Sequence, residues 1–292
     1  RILFTTFTKN LAGDILDNLR KICSVIEMKR IEVTNLDQWV SGYLRDKGYE
    51  YNIVYSDELD DIWDTAMINT GLDLEFTRLF FQEEWAIVVE ANEAYTIESY
   101  MKAPRNGRGT RLDRSKRKQV WAVFEEYMNL MNAMQKRDPE HAMYECKELL
   151  LKKGLVSQYV SIVVDEGQDF SMSACRLLRA MAGDEHPNDL FIIADTHQRI
   201  YRNKATLSKA NINIRGRSSY LRINYRTPEQ IRRYAFSILK NISFDDLDEG
   251  YDDGRKCQSL ISGSKPQISN FKTQEQEEQY IFEKIEALVK QG

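Results

Sequence analysis

Along the chain, short apolar runs rich in β-branched residues alternate with segments whose apolar residues recur every three or four positions. The first run, Ile2-Leu3-Phe4-Thr5-Thr6-Phe7, predicts a buried strand, and Thr8 is placed to cap a helix carrying Leu11, Ile15, Leu19 and Ile22 on one face. A strand leading directly into an amphipathic helix is the opening step of a layered α/β domain. The same step returns later. Residues 159–164 form a second apolar run, and Ser171 caps a helix through Leu177, Leu178 and Met181 that stops near Gly183. Leu190-Phe191-Ile192-Ile193-Ala194 predicts a third strand, residues 219–224 a fourth and residues 266–271 a last one. Thr227, with Pro228 at the first helical position and Gln230 at the reciprocal capping position, predicts a helix bearing Ile231, Tyr234, Ala235, Ile238 and Leu239. Thr273 with Gln276 opens a final helix bearing Ile281, Ile285 and Leu288.

Between these α/β stretches the pattern changes. Residues 31–55 mix aromatic and polar positions without a clean period, and residues 56–64 are acidic. Helical spacing returns around Trp63, Met67, Leu72, Leu74 and Phe76, followed by a Phe-, Trp- and Val-rich stretch over residues 79–91, so the region reads as mainly helical. Val120, Trp121, Phe124, Tyr127, Leu130, Met131 and Met134 mark one broad helix face. Asp138-Pro139 restarts a helix that closes on Leu149, Leu150 and Leu151, with Gly154 at the expected stop.

Composition adds modest constraints. A chain of 292 residues fits two domains, or one domain with a large insertion. A formal net charge of -4 gives no global attraction to nucleic acid, so any such binding needs a local patch. Residues 102–118 supply one: Lys102, Arg105, Arg108, Arg111, Arg114, Lys116, Arg117 and Lys118, loosened by Pro104, Gly107 and Gly109. Such a run is either a solvated loop or a surface that tracks phosphates, with Arg111, Arg114 and Arg117 as the candidate contacts. Cys23, Cys146, Cys175 and Cys257 lie far apart with no metal-type spacing, which fits free thiols in a reducing, cytoplasmic setting. No run is long and apolar enough to span a bilayer, so no membrane partner is expected. The strand at the very start, with no cap or leader before it, reads as part of something longer.

Three predicted strands end in polar groups of complementary type: Asp165 and Glu166, Asp195 and Gln198, Tyr225 and Arg226. Ligands of open parallel sheets bind at the carboxyl ends of strands. Phosphoryl transfer from a nucleotide needs one acid for a metal and another to orient water. It also needs a neutral group at the terminal phosphate and an arginine for the developing charge. An acidic turn in solvent is the alternative for Asp165-Glu166 taken alone.

These residues resemble a superfamily-one DNA helicase of the UvrD/Rep/PcrA type. Asp165-Glu166-Gly167-Gln168-Asp169 is similar to that family's Walker B motif, and residues 194–201 to its Gly-Asp-x-x-Gln-x-Ile-Tyr motif. Residues 221–227 resemble its Leu-x-x-Asn-Tyr-Arg-Ser motif, and residues 6–10 its Thr-Phe-Thr-Asn-Lys segment, with Lys9-Asn10 in swapped order and Ala194 in place of Gly. The resemblance implies an α/β fold: the parallel sheet of a RecA-like P-loop NTPase with a large, mainly helical insertion and the start of a second RecA-like domain. The implied boundaries are 1–27 and 156–215 for the first motor domain, 28–155 for the insertion and 216–292 for the second.

The implied ligands are ATP and Mg2+, and the implied partner is single-stranded or partly duplex DNA, moved along in the 3′ to 5′ direction. By resemblance Asp165 holds the metal, Glu166 activates water, Gln198 contacts the γ-phosphate, Arg226 stabilises the transferring phosphoryl group and Tyr225 stacks on adenine. Phe7, Thr8 and Tyr201 contact single-stranded DNA. No Gly-x-x-x-x-Gly-Lys-Ser/Thr occurs in the 292 residues, and the last motifs of the family are absent. The chain therefore reads as an internal segment that needs further motor segments of the same parent for activity. Two other readings stay open: a DNA-binding module, and a RecA-like ATPase that does not unwind DNA.

Overall fold

The computed structural model describes residues 1–71, 76–152, 159–199, 205–239, 244–245, 247, 251–252 and 257–291. The chain divides into two compact units, Arg1–Ser218 with Phe244–Tyr251, and Ser219–Ser243 with Asp252–Gly292. The first is an α/β unit built on a parallel sheet whose strand order is Ile31–Asn35, Ile2–Thr6, Ser161–Val164, Leu190–Ile192. The register sets Thr6 beside Asn35, Thr5 beside Val164 and Val164 beside Ile192. All four strands therefore leave the sheet on one edge, where ligands of parallel sheets bind.

Leu3 and Ile162 on the two central strands are fully buried. They share one core with Leu36, Val40 and Leu44 of the helix Leu36–Asp46, with Met143, Cys146 and Leu150 of Pro139–Lys152, and with Leu177, Leu178 and Met181 of Met172–Ala182. Three helix starts follow from local chemistry, as the sequence indicates. Leu11 N donates to Thr8 Oγ1 at 3.3 Å, Ala174 N to Ser171 Oγ at 3.1 Å and His141 N to Asp138 Oδ1 at 2.7 Å. Each side chain satisfies an N–H that the first helical turn leaves without a partner.

The strand Ile31–Asn35 departs from the mainly helical expectation for that stretch. Five residues are too few for periodicity to separate strand from helix, and pairing with Ile2–Thr6 decides the matter. A second core fills the following helices. Trp63 stacks on Tyr127 at 3.8 Å between ring centroids, while Trp85 and Phe124 meet Trp63 edge-on. This cluster draws on Ser56–Thr70, Arg78–Glu84, the π-helical turn Trp85–Val89 and the long helix Arg114–Ala133. Leu72, Leu74 and Gly154 lie outside the described residues.

One ionic cluster organises the basic segment. Glu84 is fully buried and accepts hydrogen bonds from Arg105 at 2.6 and 2.8 Å, Arg108 at 2.9 Å and Tyr100 at 3.0 Å. Arg108 also reaches Glu83 at 2.6 Å, and Arg105 Nη1 donates to Thr110 O at 2.7 Å, which closes the intervening loop.

In the second unit Ile223–Asn224 pairs in parallel with Gln258–Ser259, beside the helix Glu229–Ile238; the unit also contains the helix Gln274–Gln291. Two local expectations are corrected here. The helix begins after Pro228, so Thr227 is not its cap, and Gln230 Oε1 accepts from Gly263 N at 2.8 Å instead of closing a capping box. Residues 266–271 form no strand; Ile268 is exposed, and Gln258–Ser259 takes the place beside Ile223–Asn224. Among the described residues no helix is long and apolar enough to cross a membrane.

Candidate active site

The strand Ser161–Val164 delivers Asp165 to the carboxyl edge of the sheet, where Asp165 N donates to Thr5 O at 2.9 Å and extends the ladder by one residue. Glu166 then takes a left-handed backbone conformation, with φ 55° and ψ 41°, and turns the chain into the short 3-10 turn Gly167–Asp169. A glutamate held at positive φ is sterically uncommon and persists where surrounding contacts fix it. Here the fixing contact is Gly167, whose N–H donates to Ile193 O at 2.8 Å. A Cβ at Gly167 would lie 2.6 Å from Ile192 Cγ2 and 3.2 Å from Ile193 O, so only glycine lets the turn sit this close to the next strand.

Gln168 is only 2% exposed and joins two strand ends. Its Nε2 donates to Glu166 Oε2 at 2.6 Å, and its Oε1 accepts from Asp195 N at 2.9 Å. Asp195 Oδ1 accepts from His197 N at 3.0 Å, and Oδ2 accepts from Gln198 Nε2 at 2.7 Å. The fold thus brings Asp165, Glu166, Asp195 and Gln198 to one edge. In the sequence Gln168 stands only as one member of the acidic motif, with no role of its own. The available signal was a residue with one donor and one acceptor between two carboxylates.

Burial raises the Asp169 carboxyl above its usual range, the Glu166 charge adds to the rise, and Arg199 opposes it. The Thr5 and Thr6 hydroxyls are buried at the end of the neighbouring strand, with no hydrogen-bond partner among the described residues. Carboxylate and hydroxyl oxygens are hard donors of the type Mg2+ takes, with water and phosphate completing its shell. Asp165 fits that role. Among the described residues no group of three or more His, Cys, Asp or Glu side chains could hold a metal by itself.

The other predicted contacts occupy separate places. Phe7 is half-buried and meets Phe170 edge-on, 6.4 Å between ring centroids, directly after the acidic turn. Thr8 is exposed at the start of the helix Lys9–Ile22. Tyr201 lies outside the described residues. Arg111 and Arg114 are exposed, whereas Arg117 donates to the carbonyls of Met101 and Ala103 at 3.2 and 3.1 Å and to that of Tyr100. Arg117 therefore closes the C-terminus of the helix Ile97–Lys102 and lies over the Tyr100 ring.

Tyr225 and Arg226 belong to the second unit. Asn224 Oδ1 accepts from Arg226 N at 2.8 Å and Thr227 N at 2.9 Å, a turn that leaves Tyr225 68% exposed.

The family model for the UvrD/REP helicase N-terminal domain matches residues 1–213. No curated protein matches the chain significantly. The matched span contains the strand ends that carry Asp165, Glu166, Asp195 and Gln198, while Tyr225 and Arg226 lie beyond it. A parallel α/β sheet with these acids on its carboxyl edge, and a match over most of the chain, make this protein a member of the UvrD/REP helicase family through its N-terminal domain.

Proposed function

We propose that this chain carries the hydrolytic half of an ATP-driven motor that moves along single-stranded DNA, with 3′ to 5′ polarity by analogy to the family. The hydrogen-bonded chain from Glu166 through Gln168 to Asp195 and Gln198 supports this reading best, because it holds an acid and an amide in fixed relation on the ligand-binding edge. Residues 1–27 and 156–215 are read as the first motor domain, 28–155 as its helical insertion and 216–292 as the start of a second motor domain. The separate aromatic core between Val54 and Met131 supports an insertion there, whereas Ile31–Asn35, Leu36–Asp46 and Pro139–Lys152 pack with the sheet of the first motor domain.

In the proposed chemistry Asp165 holds Mg2+, which when bound offsets phosphate charge. Glu166 orients the attacking water and accepts its proton. Gln198 contacts the γ-phosphate, Arg226 stabilises the transferring group and Tyr225 stacks on the base. Phe7, Thr8 and Tyr201 contact the DNA strand. Backbone amides and a lysine of a phosphate-binding loop normally supply most of the phosphate grip, and these 292 residues contain no such motif. The chain by itself is therefore expected to hydrolyse ATP little or not at all.

The test is ATP hydrolysis by the full-length protein with and without single-stranded DNA. Stimulation by DNA that is lost in Glu166→Gln, with nucleotide binding retained, supports the reading. Turnover that ignores DNA points to an ATPase acting on another partner. Robust turnover by the 292-residue chain alone, abolished by Glu166→Gln, overturns the view that the chain needs further motor segments.

A further inference from the structure

We propose that Gln168 is a positioning residue. It holds the Glu166 carboxylate in its working orientation and ties it mechanically to the strand end that carries Asp195 and Gln198. The proposal rests on the reading of Glu166 as the water-activating acid. Its observations are independent of that reading.

The Gln168 amide presents a donor to Glu166 Oε2 at 2.6 Å and an acceptor to Asp195 N at 2.9 Å. Rotating the amide by 180° would set an oxygen against a carboxylate and an N–H against an N–H, so the network permits one orientation only. The side chain is 2% exposed, so a donor or acceptor it leaves unpaired is poorly compensated by water. Among the described residues Gln168 is the hydrogen-bond partner of the Glu166 carboxylate. The backbone holds Glu166 at φ 55°, which fixes where its side chain starts, and Gln168 fixes where it ends.

The second bond reaches across 27 residues to the neighbouring strand. Asp195 N is held by Gln168, and the Asp195 carboxylate holds both His197 N and Gln198 Nε2. A displacement of the Gln198 segment therefore pulls on Asp195, then on Gln168, then on Glu166. The Gln168 side chain that orients the acid thereby also reports the position of the group proposed to sense the γ-phosphate.

The required residue must donate at one end and accept at the other over this length. Leucine fills similar volume with neither group. Glutamate keeps the shape and the acceptor but faces Glu166 with a like charge. While protonated, such a glutamate still donates to Glu166, so a positioning role makes Gln168→Glu lose activity relative to the parent as pH rises and that proton leaves.

The experiment measures DNA-stimulated ATP hydrolysis by the full-length protein carrying Gln168→Leu, Gln168→Glu, Glu166→Gln, or Glu166→Gln with Gln168→Leu. Gln168→Leu should lower kcat by roughly 10- to 100-fold, with KM for ATP within about twofold of the parent, and Gln168→Glu should lose kcat progressively as pH rises. In the Glu166→Gln background Gln168→Leu should cost nothing further, because the group it positions is already disabled. Thermal unfolding of each variant checks that it is folded, since an unfolded fraction lowers kcat without moving KM. Full kcat in Gln168→Leu, or multiplicative losses in the double variant, overturns the proposal while Glu166→Gln remains inactive. An active Glu166→Gln removes the underlying reading of Glu166, and the proposal with it.

Discussion

Arg105 closes on Glu84 with two parallel hydrogen bonds, Nε to Oε1 at 2.6 Å and Nη2 to Oε2 at 2.8 Å, around a fully buried carboxylate. Arg108 and Tyr100 complete its shell. Burial alone would raise the Glu84 carboxyl, yet hydrogen bonding and charge from Arg105, with help from Tyr100 and Arg108, hold it below the usual range. A basic run that could have been a loose loop is thereby pinned to the helix Arg78–Glu84.

Glu84→Ala leaves Arg105 without its acid and Arg108 with Glu83 alone, and should destabilise the folded chain by about 3 kcal/mol, read from urea unfolding. The pH dependence has a definite sign. A carboxyl depressed in the folded state stabilises above its unfolded value, near 4.5, and this contribution fades as pH falls below that point. The unfolding difference between Glu84→Ala and the parent should therefore narrow under acid conditions. A constant difference down to low pH would show that the ion cluster is not its source.

Arg111 and Arg114 are exposed on the anchored segment, whereas Arg117 is committed to helix-end carbonyls. Arg111→Glu with Arg114→Glu should weaken single-stranded DNA binding and lower the slope of log affinity against log salt by about 1.4, two phosphate contacts' worth. Arg117→Glu should reduce thermal stability instead. Unchanged affinity in the first pair would make this segment a solvated surface.

Gly167→Ala places a methyl group 2.6 Å from Ile192 Cγ2. Relief requires the strand end or the acidic turn to shift, at a cost of about 1–3 kcal/mol. Thermal unfolding should show that loss, and DNA-stimulated hydrolysis by the full-length protein should fall with it. A neutral substitution would mean that the turn can move freely, contrary to the Gly167–Ile193 bond.

Glu140 titrates the other way. Burial pushes its carboxyl up to about 7, against hydrogen bonding from Ser171, with Asp138 and Asp37 adding to the rise. Between the unfolded value near 4.5 and about 7 the folded chain binds the extra proton, so Glu140 lowers stability as pH rises through that window. Glu140→Gln should thus be more stable than the parent at pH 8, by on the order of 2 kcal/mol, and nearly equal to it at pH 5. Equal stability at both pH values would show that Glu140 is charged at no cost.

Much of this molecule was legible in the chain alone where the chemistry is local. Thr8, Ser171 and Asp138 mark helix starts because each hydroxyl or carboxylate reaches an N–H three residues on. Asp165 and Glu166 fall at a strand end because an apolar run stops directly before them. Spacing of this kind is read without knowing what lies across the fold.

Tertiary structure decided what depends on residues far apart in sequence. Ile31–Asn35 became a strand only by pairing with Ile2–Thr6, and Arg105 became an anchor only because Glu84, 21 residues earlier, is buried beneath it. Gln168 became a clamp because Asp195 N lies across the sheet edge from it. Hydrophobic period and capping chemistry act over one or two turns, so the residues themselves determined the elements and the identity of the acids. Which groups those acids face, and which arginines remain free to meet a phosphate, was settled by long-range packing that no local pattern encodes.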